Sequence, residues 1–368
     1  MTVPVLEPVP EDERIAPVAA RRARYRLVRG SPRWRLLGIA ATVASLLAMI
    51  GPIFVLPIIE GRLTTQFVAV AVALLGLQFV LGHGGQLSLC HGVFVGVGSY
   101  SMAIMVAVHD WPHLVGLLSA PVFGFLAGCL VGVLALRIKA TYLGPVTMSV
   151  AVVFPMIVKR FSWFTGGPSG LPLLPVMPVP DVPLLSGLRP HEWTHLVVAA
   201  YALASYWVLR NLVRSPVGLA VKAVAENPTA ARTSGINTRR TQVLAFGVGA
   251  AFGALGGALL VVDTPVVGAD SYDLFRSLGY YAAVMVGGVA SLAGGVIGAG
   301  LLVGMPWMMT KLDLGVTPNL VFGLLLLVST LVAPGGIASA MRSVLATRVD
   351  VQEPEPASAA GVDSAAPG

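Results

Sequence analysis

Apolar residues run in long blocks along this chain with short polar interruptions between them. A block of about 20 is what an α-helix needs to cross the hydrocarbon of a bilayer. Ten such blocks stand out, at 36–59, 66–82, 93–109, 114–136, 141–158, 193–213, 241–262, 273–290, 291–310 and 316–334. Glycine interrupts the third, eighth and ninth. The pattern predicts an all-α integral membrane protein of about ten transmembrane helices, and an even number of crossings places both termini on one side. It divides the chain into an N-terminal segment 1–35, a membrane domain 36–336 and a tail 337–368. The tail is low in complexity, rich in Ala, Ser, Pro and acidic residues, and is predicted to be disordered.

Composition strengthens this reading. Hydrophobic residues make up 56% of the 368 positions and charged residues 11%, whereas a water-facing surface needs roughly a quarter of its residues charged. With a mean hydropathy of +0.82, an ordinary soluble enzyme is excluded. The net charge of +7 sits at the flanks of the blocks, which suits membrane lipid and not nucleic acid. Eight arginines fall between Arg14 and Arg35, directly before the first block. By the positive-inside rule this flank is cytoplasmic, and both termini with it. Arg137 and Lys139, then Arg210, Arg214, Lys222, Arg232, Arg239 and Arg240, then Arg342 and Arg348 fall on the same side, while the loop 263–276 carries Asp263, Asp270 and Asp273 on the other. Lys159 and Arg160 fall on the wrong side, unless the fifth block is a re-entrant turn.

Two loops exceed simple connectors. The external loop 159–192 holds Thr165-Gly166-Gly167-Pro168-Ser169-Gly170-Leu171 and a proline-rich continuation, an ordered turn followed by stiff extended chain. The inside loop 214–240 mixes alanine with basic residues and Glu226, a composition that favours short helices. Gly-x-x-x-Gly spacings at Gly92/Gly96, Gly124/Gly128/Gly132, Gly249/Gly253/Gly257 and Gly294/Gly298 predict closely packed membrane helices.

Between the second and third blocks, Gly82-His83-Gly84-Gly85-Gln86-Leu87-Ser88-Leu89-Cys90-His91-Gly92 interrupts apolar sequence where a helix should continue. Broken backbone at membrane depth is tolerated only against protein or a water-filled cavity. The segment reads as a pathway wall, with Gln86 and Ser88 as its polar groups, or as a plain inside loop. The five residues His109-Asp110-Trp111-Pro112-His113 read as an interfacial turn, because Pro112 disfavours a helix there.

His191-Glu192-Trp193-Thr194-His195 matches the zinc-protease pattern, with two histidines one helical turn apart and a glutamate as general base. Asp313 is the candidate third ligand. This is the competing function, although the motif also suits an ordinary helix start at the interface. Energy coupling inside the chain is excluded: the only lysines are Lys139, Lys159, Lys222 and Lys311, none followed by Ser or Thr, so no P-loop exists. The blocks also lack the acid relay of a proton-driven carrier. A separate engine is implied.

Three blocks carry a resemblance. They are Gly85-Gln86-Leu87-Ser88-Leu89-Cys90-His91-Gly92 with Gly96-Val97-Gly98-Ser99-Tyr100; Thr165-Gly166-Gly167-Pro168-Ser169-Gly170-Leu171; and Val213-Arg214-Ser215-Pro216-Val217-Gly218 with Ala223-Val224-Ala225-Glu226-Asn227, Ala230-Ala231 and Gly235-Ile236-Asn237. A weaker fourth runs from Val286 through Gly298. Together they resemble the permease subunits of ABC importers for branched-chain amino acids, with Cys90 in place of the usual glycine.

The resemblance implies an ATPase-docking loop containing Arg214, Ser215, Pro216, Gly218, Ala223, Glu226, Ala230, Ala231, Gly235 and Ile236. It implies a translocation pathway at Gly85, Gln86, Ser88, His91, Gly92 and Gly96, and an external loop marked by Thr165, Gly166, Gly167 and Gly170. The implied partners are a homologous second permease, two ATPases on the cytoplasmic side and an extracytoplasmic solute-binding protein, in a bacterial inner membrane. No catalytic residue, metal or cofactor is implied. Leucine, isoleucine and valine are the implied cargo, with urea, short amides or other small solutes as alternatives.

Overall fold

A computed structural model describes residues 25–28, 58–135, 142–172, 177–180, 187–262, 264, 266–289, 291–312, 320–321, 323–324, 327, 336–339 and 349–352. The chain forms two units, residues 1–47 with 340–368, and residues 48–339. In the first, Tyr25–Val28 pairs in parallel with Val349–Gln352, so four residues of the tail predicted to be disordered form a strand.

The second unit is helical. Its elements are α1 (Ile58–Gln78, continued by a π-turn Phe79–His83), α2 (His91–Ala103, continued by a π-turn Ile104–Val108), α3 (His113–Ala135), α4 (Leu143–Arg160), the short α5 (Ser162–Thr165), β1 (Leu171–Pro172), α6 (Pro190–Arg214), α7 (Pro216–Glu226), α8 (Pro228–Thr233), α9 (Thr238–Val261), β2 (Val266–Val267), α10 (Leu274–Gly287) and α11 (Leu292–Leu312). Among the described residues seven helices are long and apolar enough to cross a membrane, namely α1, α2, α3, α4, α6, α9 and α11. Almost all of the predicted first block and most of the tenth lie outside the described residues. The eighth block is the exception within them: α10 has 14 residues, too few to span alone. The predicted fifth block is a full helix, α4, and not a re-entrant turn. The misplaced Lys159 at its end pairs with Asp270 at 2.6 Å, which neutralises it.

Local sequence sets the boundaries. Ser215, Asn227, Asn237 and Asp273 accept from backbone N–H groups in the first turns of α7, α8, α9 and α10. Pro190, Pro216 and Pro228 each occupy the first helical position, where no N–H is needed. Asp110 has φ of 54°, and α3 begins directly after Pro112, so His109 to His113 is the predicted turn.

Helices α1, α2 and α9 form the buried centre, and α3, α4, α6 and α11 surround it, presenting apolar residues such as Leu126, Met156 and Trp207 outward. The small-residue spacings fall at the seams. A Cβ at Gly124 or Gly128 would strike Ala254 or Ala250 of α9, one at Gly249 would strike Val80, and one at Gly298 would strike the Ala283 carbonyl. Packing of this closeness is what holds membrane helices together where lipid is as apolar as the side chains.

The packing has an internal pattern. Helix α3 lies on α9 as α11 lies on α1, α2 contacts α9 as α10 contacts α1, and α2–α3 forms a hairpin like α10–α11. Exchanging α1, α2, α3 with α9, α10, α11 maps these helix pairs onto one another. Arg214, Lys222, Arg232, Arg239 and Arg240 cluster around α7 and α8 and make this the basic end of the bundle.

Candidate functional site

Helix α1 runs to the basic end, where its π-turn meets α7. The chain then turns back. Nε2–H of His91, at the start of α2, donates to the Ala73 carbonyl in the middle of α1 at 2.8 Å, and its ring lies against Gly253 in the middle of α9. The rise from Ala73 to His83 is about 15 Å at helical geometry, and residues 84–90 reach up to about 23 Å when extended. The segment therefore climbs back to mid-bundle, and α2 starts there.

The climb is held by backbone bonds, from Gln86 N–H to the Val80 carbonyl (3.1 Å) and from Leu89 N–H to Thr147 Oγ1 of α4 (3.1 Å). Its burial alternates, as extended chain should. Gly84, Gln86, Ser88 and Cys90 face inward while Gly85 and Leu87 are exposed. Of the residues predicted for the pathway, Gln86 (5%), Ser88 (1%) and His91 (1%) are turned into protein, Gly92 and Gly96 are packed, and Gly85 alone is open.

A second break enters from the other end. After α9, β2 pairs with β1 in the register Leu171↔Val267, and the Val267 carbonyl accepts from Tyr100 Oη at 3.3 Å. Tyr272 then packs at Gly96, and Ser277 Oγ accepts from the Gly92 N–H at 3.1 Å. The chain thus descends along α2 to mid-bundle, where α10 begins. At its far end, Gln78 Nε2 donates to the carbonyls of Gly288 (3.2 Å) and Ser291 (2.6 Å), while its Oε1 is buried without a partner. Two discontinuous segments, one from each end, meet where Gly92 touches Ser277. Breaks of this kind in membrane helices are associated with transport routes.

The loop after α4, predicted to be external, braces the second break. Thr165 Oγ1 donates to the carbonyls of Val158 (2.7 Å) and Phe161 (2.9 Å) and accepts from the Gly167 N–H. Gly166, Gly167 and Gly170 have φ of 72°, 57° and 72°, which the turn into β1 requires.

At the basic end, α7 buries Val221 and Val224, and Val221 joins Leu75, Phe79 and Leu209 in one cluster. Full burial of each valine is worth about 1.5–3 kcal/mol. Val217 (46% exposed) and Leu219 (60% exposed) point away. Of the predicted docking residues, Arg214, Pro216, Glu226, Ala230 and Gly235 are exposed, Ser215, Ala223 and Ile236 are half-buried, and Gly218 and Ala231 are packed inward. A Cβ on Gly85 would lie 3.2 Å from the Cβ of Ala225, so α7 touches the first break.

The predicted metalloprotease alternative is not supported by the geometry of His191 to His195. Glu192 Oε2 accepts from the Arg189 N–H at 2.9 Å, which commits the supposed general base to capping α6. His195 is wholly buried and shares a hydrogen bond with Thr65 through Nδ1 (2.9 Å). The third ligand, Asp313, lies outside the described residues.

Arg276 is not among the predicted site residues, although an arginine inside the eighth apolar block is itself a signal. Its guanidinium lies 5.6 Å above the Tyr280 ring, and the Tyr280 ring stands edge-on to His91.

A model of the family described as branched-chain amino acid transport system / permease component matches residues 59–333. The high-affinity branched-chain amino acid transport system permease protein LivM of Escherichia coli K12 is 27% identical over 248 residues, 62% of this chain and 58% of that protein. LivM of Salmonella typhimurium is 27% identical over 305 residues, covering 69% and 71%. The galactofuranose transporter permease protein YtfT of Escherichia coli is 26% identical over 318 residues, covering 77% and 83%. The chain thus spans less than two thirds of the first of these relatives and more of the other two. No solved structure matches it.

Proposed function

The chain belongs to the branched-chain amino acid transport system permease family, and from that premise we propose that it forms half of the translocation pathway of an ATP-binding-cassette importer in a bacterial inner membrane. A homologous permease supplies the other half. Two ATPase subunits dock at the basic end, which faces the cytoplasm, and a solute-binding protein delivers cargo at the opposite end. The cargo is a branched-chain amino acid.

The observation that carries this reading is the α7–α8 pair. It is a capped, amphipathic projection, fixed to the bundle by Val221 and Val224, with Val217 and Leu219 presented outward. Its Ala225 rests on the first break, that break leads into α2, and the start of α2 holds the start of α10 through Gly92 and Ser277. A push on α7 therefore reaches mid-bundle through packed backbone, the kind of rigid-element shift that alternates access.

The test is to purify the tagged full chain from its own membranes in mild detergent and identify its companions by mass spectrometry. P-loop ATPases and a second permease are expected with the parent. Leu219→Asp, at an exposed site, should lose the ATPases and keep the second permease. A parent chain without ATPases, or a variant that retains them in full, overturns the reading.

A further inference from the structure

A cavity of about 590 Å³ opens between the first turns of α1, the start of α10 and the outer half of α11. Its size falls within the roughly 300–1,000 Å³ of pockets that hold small molecules. Arg62, Gln66 and Arg276 form a polar side, and Leu302, Val303 and Trp307 an apolar one. Arg276 is exposed to this space while its position is fixed by the Tyr280 ring beneath it and by the Gly92 contact of its neighbour Ser277.

The nearby acids have other work. Glu60 pairs with Lys311 at 3.1 Å, Asp270 pairs with Lys159 at 2.6 Å, and Asp273 caps α10 by accepting from the Arg276 backbone N–H at 2.8 Å. Among the described residues no carboxylate forms an ion pair with the Arg276 guanidinium. Charge inside a membrane body is expensive and marks substrate or ion routes. A guanidinium, with five donors in a planar fork, matches a carboxylate in particular.

We propose that this cavity is a carboxylate station on the transport route, where Arg276, with Arg62 and Gln66, holds the carboxylate of a small amino acid whose aliphatic side chain lies against Leu302, Val303 and Trp307. The inference rests on the importer reading and narrows its cargo. Urea, neutral amides and sugars offer nothing to the guanidinium that water does not. A lipid phosphate shares the anionic chemistry, so the test separates the two sources.

The full chain, reconstituted in phosphatidylcholine nanodiscs, is treated with phenylglyoxal, and modification of Arg276 is followed by peptide mass spectrometry. L-Leucine and isovalerate, which share the carboxylate and the branched side chain, should slow modification about tenfold at ten times their Kd. L-Leucinamide, which lacks the carboxylate, should leave it unchanged. Equal protection by leucinamide, or none by leucine, overturns the proposal. So does protection that appears with phosphatidylglycerol nanodiscs alone and to which leucine adds nothing, since the site then holds a headgroup. In the whole importer, Arg276→Gln should weaken leucine uptake at least about tenfold, the value of one charge-assisted hydrogen bond, with ATPase co-purification intact. Normal leucine uptake by that variant overturns the proposal. If ATPases co-purify and leucine leaves Arg276 labelling unchanged, the site falls while the importer reading stands. If ATPases are missing and protection persists, the importer reading falls and the carboxylate site stands.

Discussion

The segment leading into α2 and the segment leading into α10 reach the same depth from opposite ends of the bundle, and only the second brings a charge with it. The first is sealed where it joins α2. His91 donates to Ala73, its ring is enclosed by Phe94 and Tyr280, and the Gly92 N–H finds Ser277. The second is braced from outside, by the β1–β2 pair and the Lys159–Asp270 bridge, and it turns Arg276 toward open space. Geometrically similar breaks in the two halves of an inverted arrangement thus differ in kind. The first is packed against α7; the second presents a charged side chain to a cavity.

The most direct way to break this comparison is to separate the two segments where they meet. A Cβ on Gly92 would strike Ser277 Oγ, so Gly92→Leu must push α2 away from the start of α10. Overpacking at such a site costs about 3 kcal/mol. The expected outcome is loss of monodisperse protein in detergent and unfolding at lower SDS concentration. Gly304→Leu, where nothing lies within 4 Å of the added Cβ, should behave as the parent. A Gly92→Leu variant as stable as its parent means the segments do not depend on each other.

A gentler cut keeps the shape and removes the bond. Ser277→Ala leaves the Gly92 N–H buried and unpaired, which costs about 1–3 kcal/mol. Unfolding in SDS should shift by that amount, with leucine protection of Arg276 weakened in step, because the same turn positions the guanidinium. Unchanged stability sinks the bond; changed stability with unchanged protection sinks its role in aiming Arg276.

Much of this was legible in the residues and part was not. The apolar blocks placed α3, α4, α6, α9 and α11 to within a few residues, because their lengths and caps are local properties. The glycine spacings were readable too, since close helix contact needs small residues whichever helix is opposite. The second break escaped because residues 263–276 read as an acidic external loop. Nothing local says that Tyr272 and Ser277 fold back against Gly96 and Gly92, more than 170 positions away in sequence. Polarity and the family resemblance both point to Gln86 and Ser88 as pathway groups, but neither fixes where they face. Which side of an extended strand faces the interior is decided by its neighbours, here Val80 and Thr147.

The smallest expected change in stability bears on the joint between α7 and the first break. Gly85 has φ of +60°, where an alanine costs about 1–2 kcal/mol. Its new Cβ would also stand 3.2 Å from Ala225, close enough that α7 must give by a few tenths of an ångström. Strain and contact can be separated, because Ala225→Gly relieves the second and leaves the first. If α7 drives the break through this contact, Gly85→Ala should lower leucine uptake per ATP hydrolysed, and adding Ala225→Gly should restore it while the modest loss of stability remains. A double variant that recovers neither places the whole effect in the backbone of Gly85, and the mechanical link would then have to run from Val221 through Phe79 and the π-turn of α1 instead.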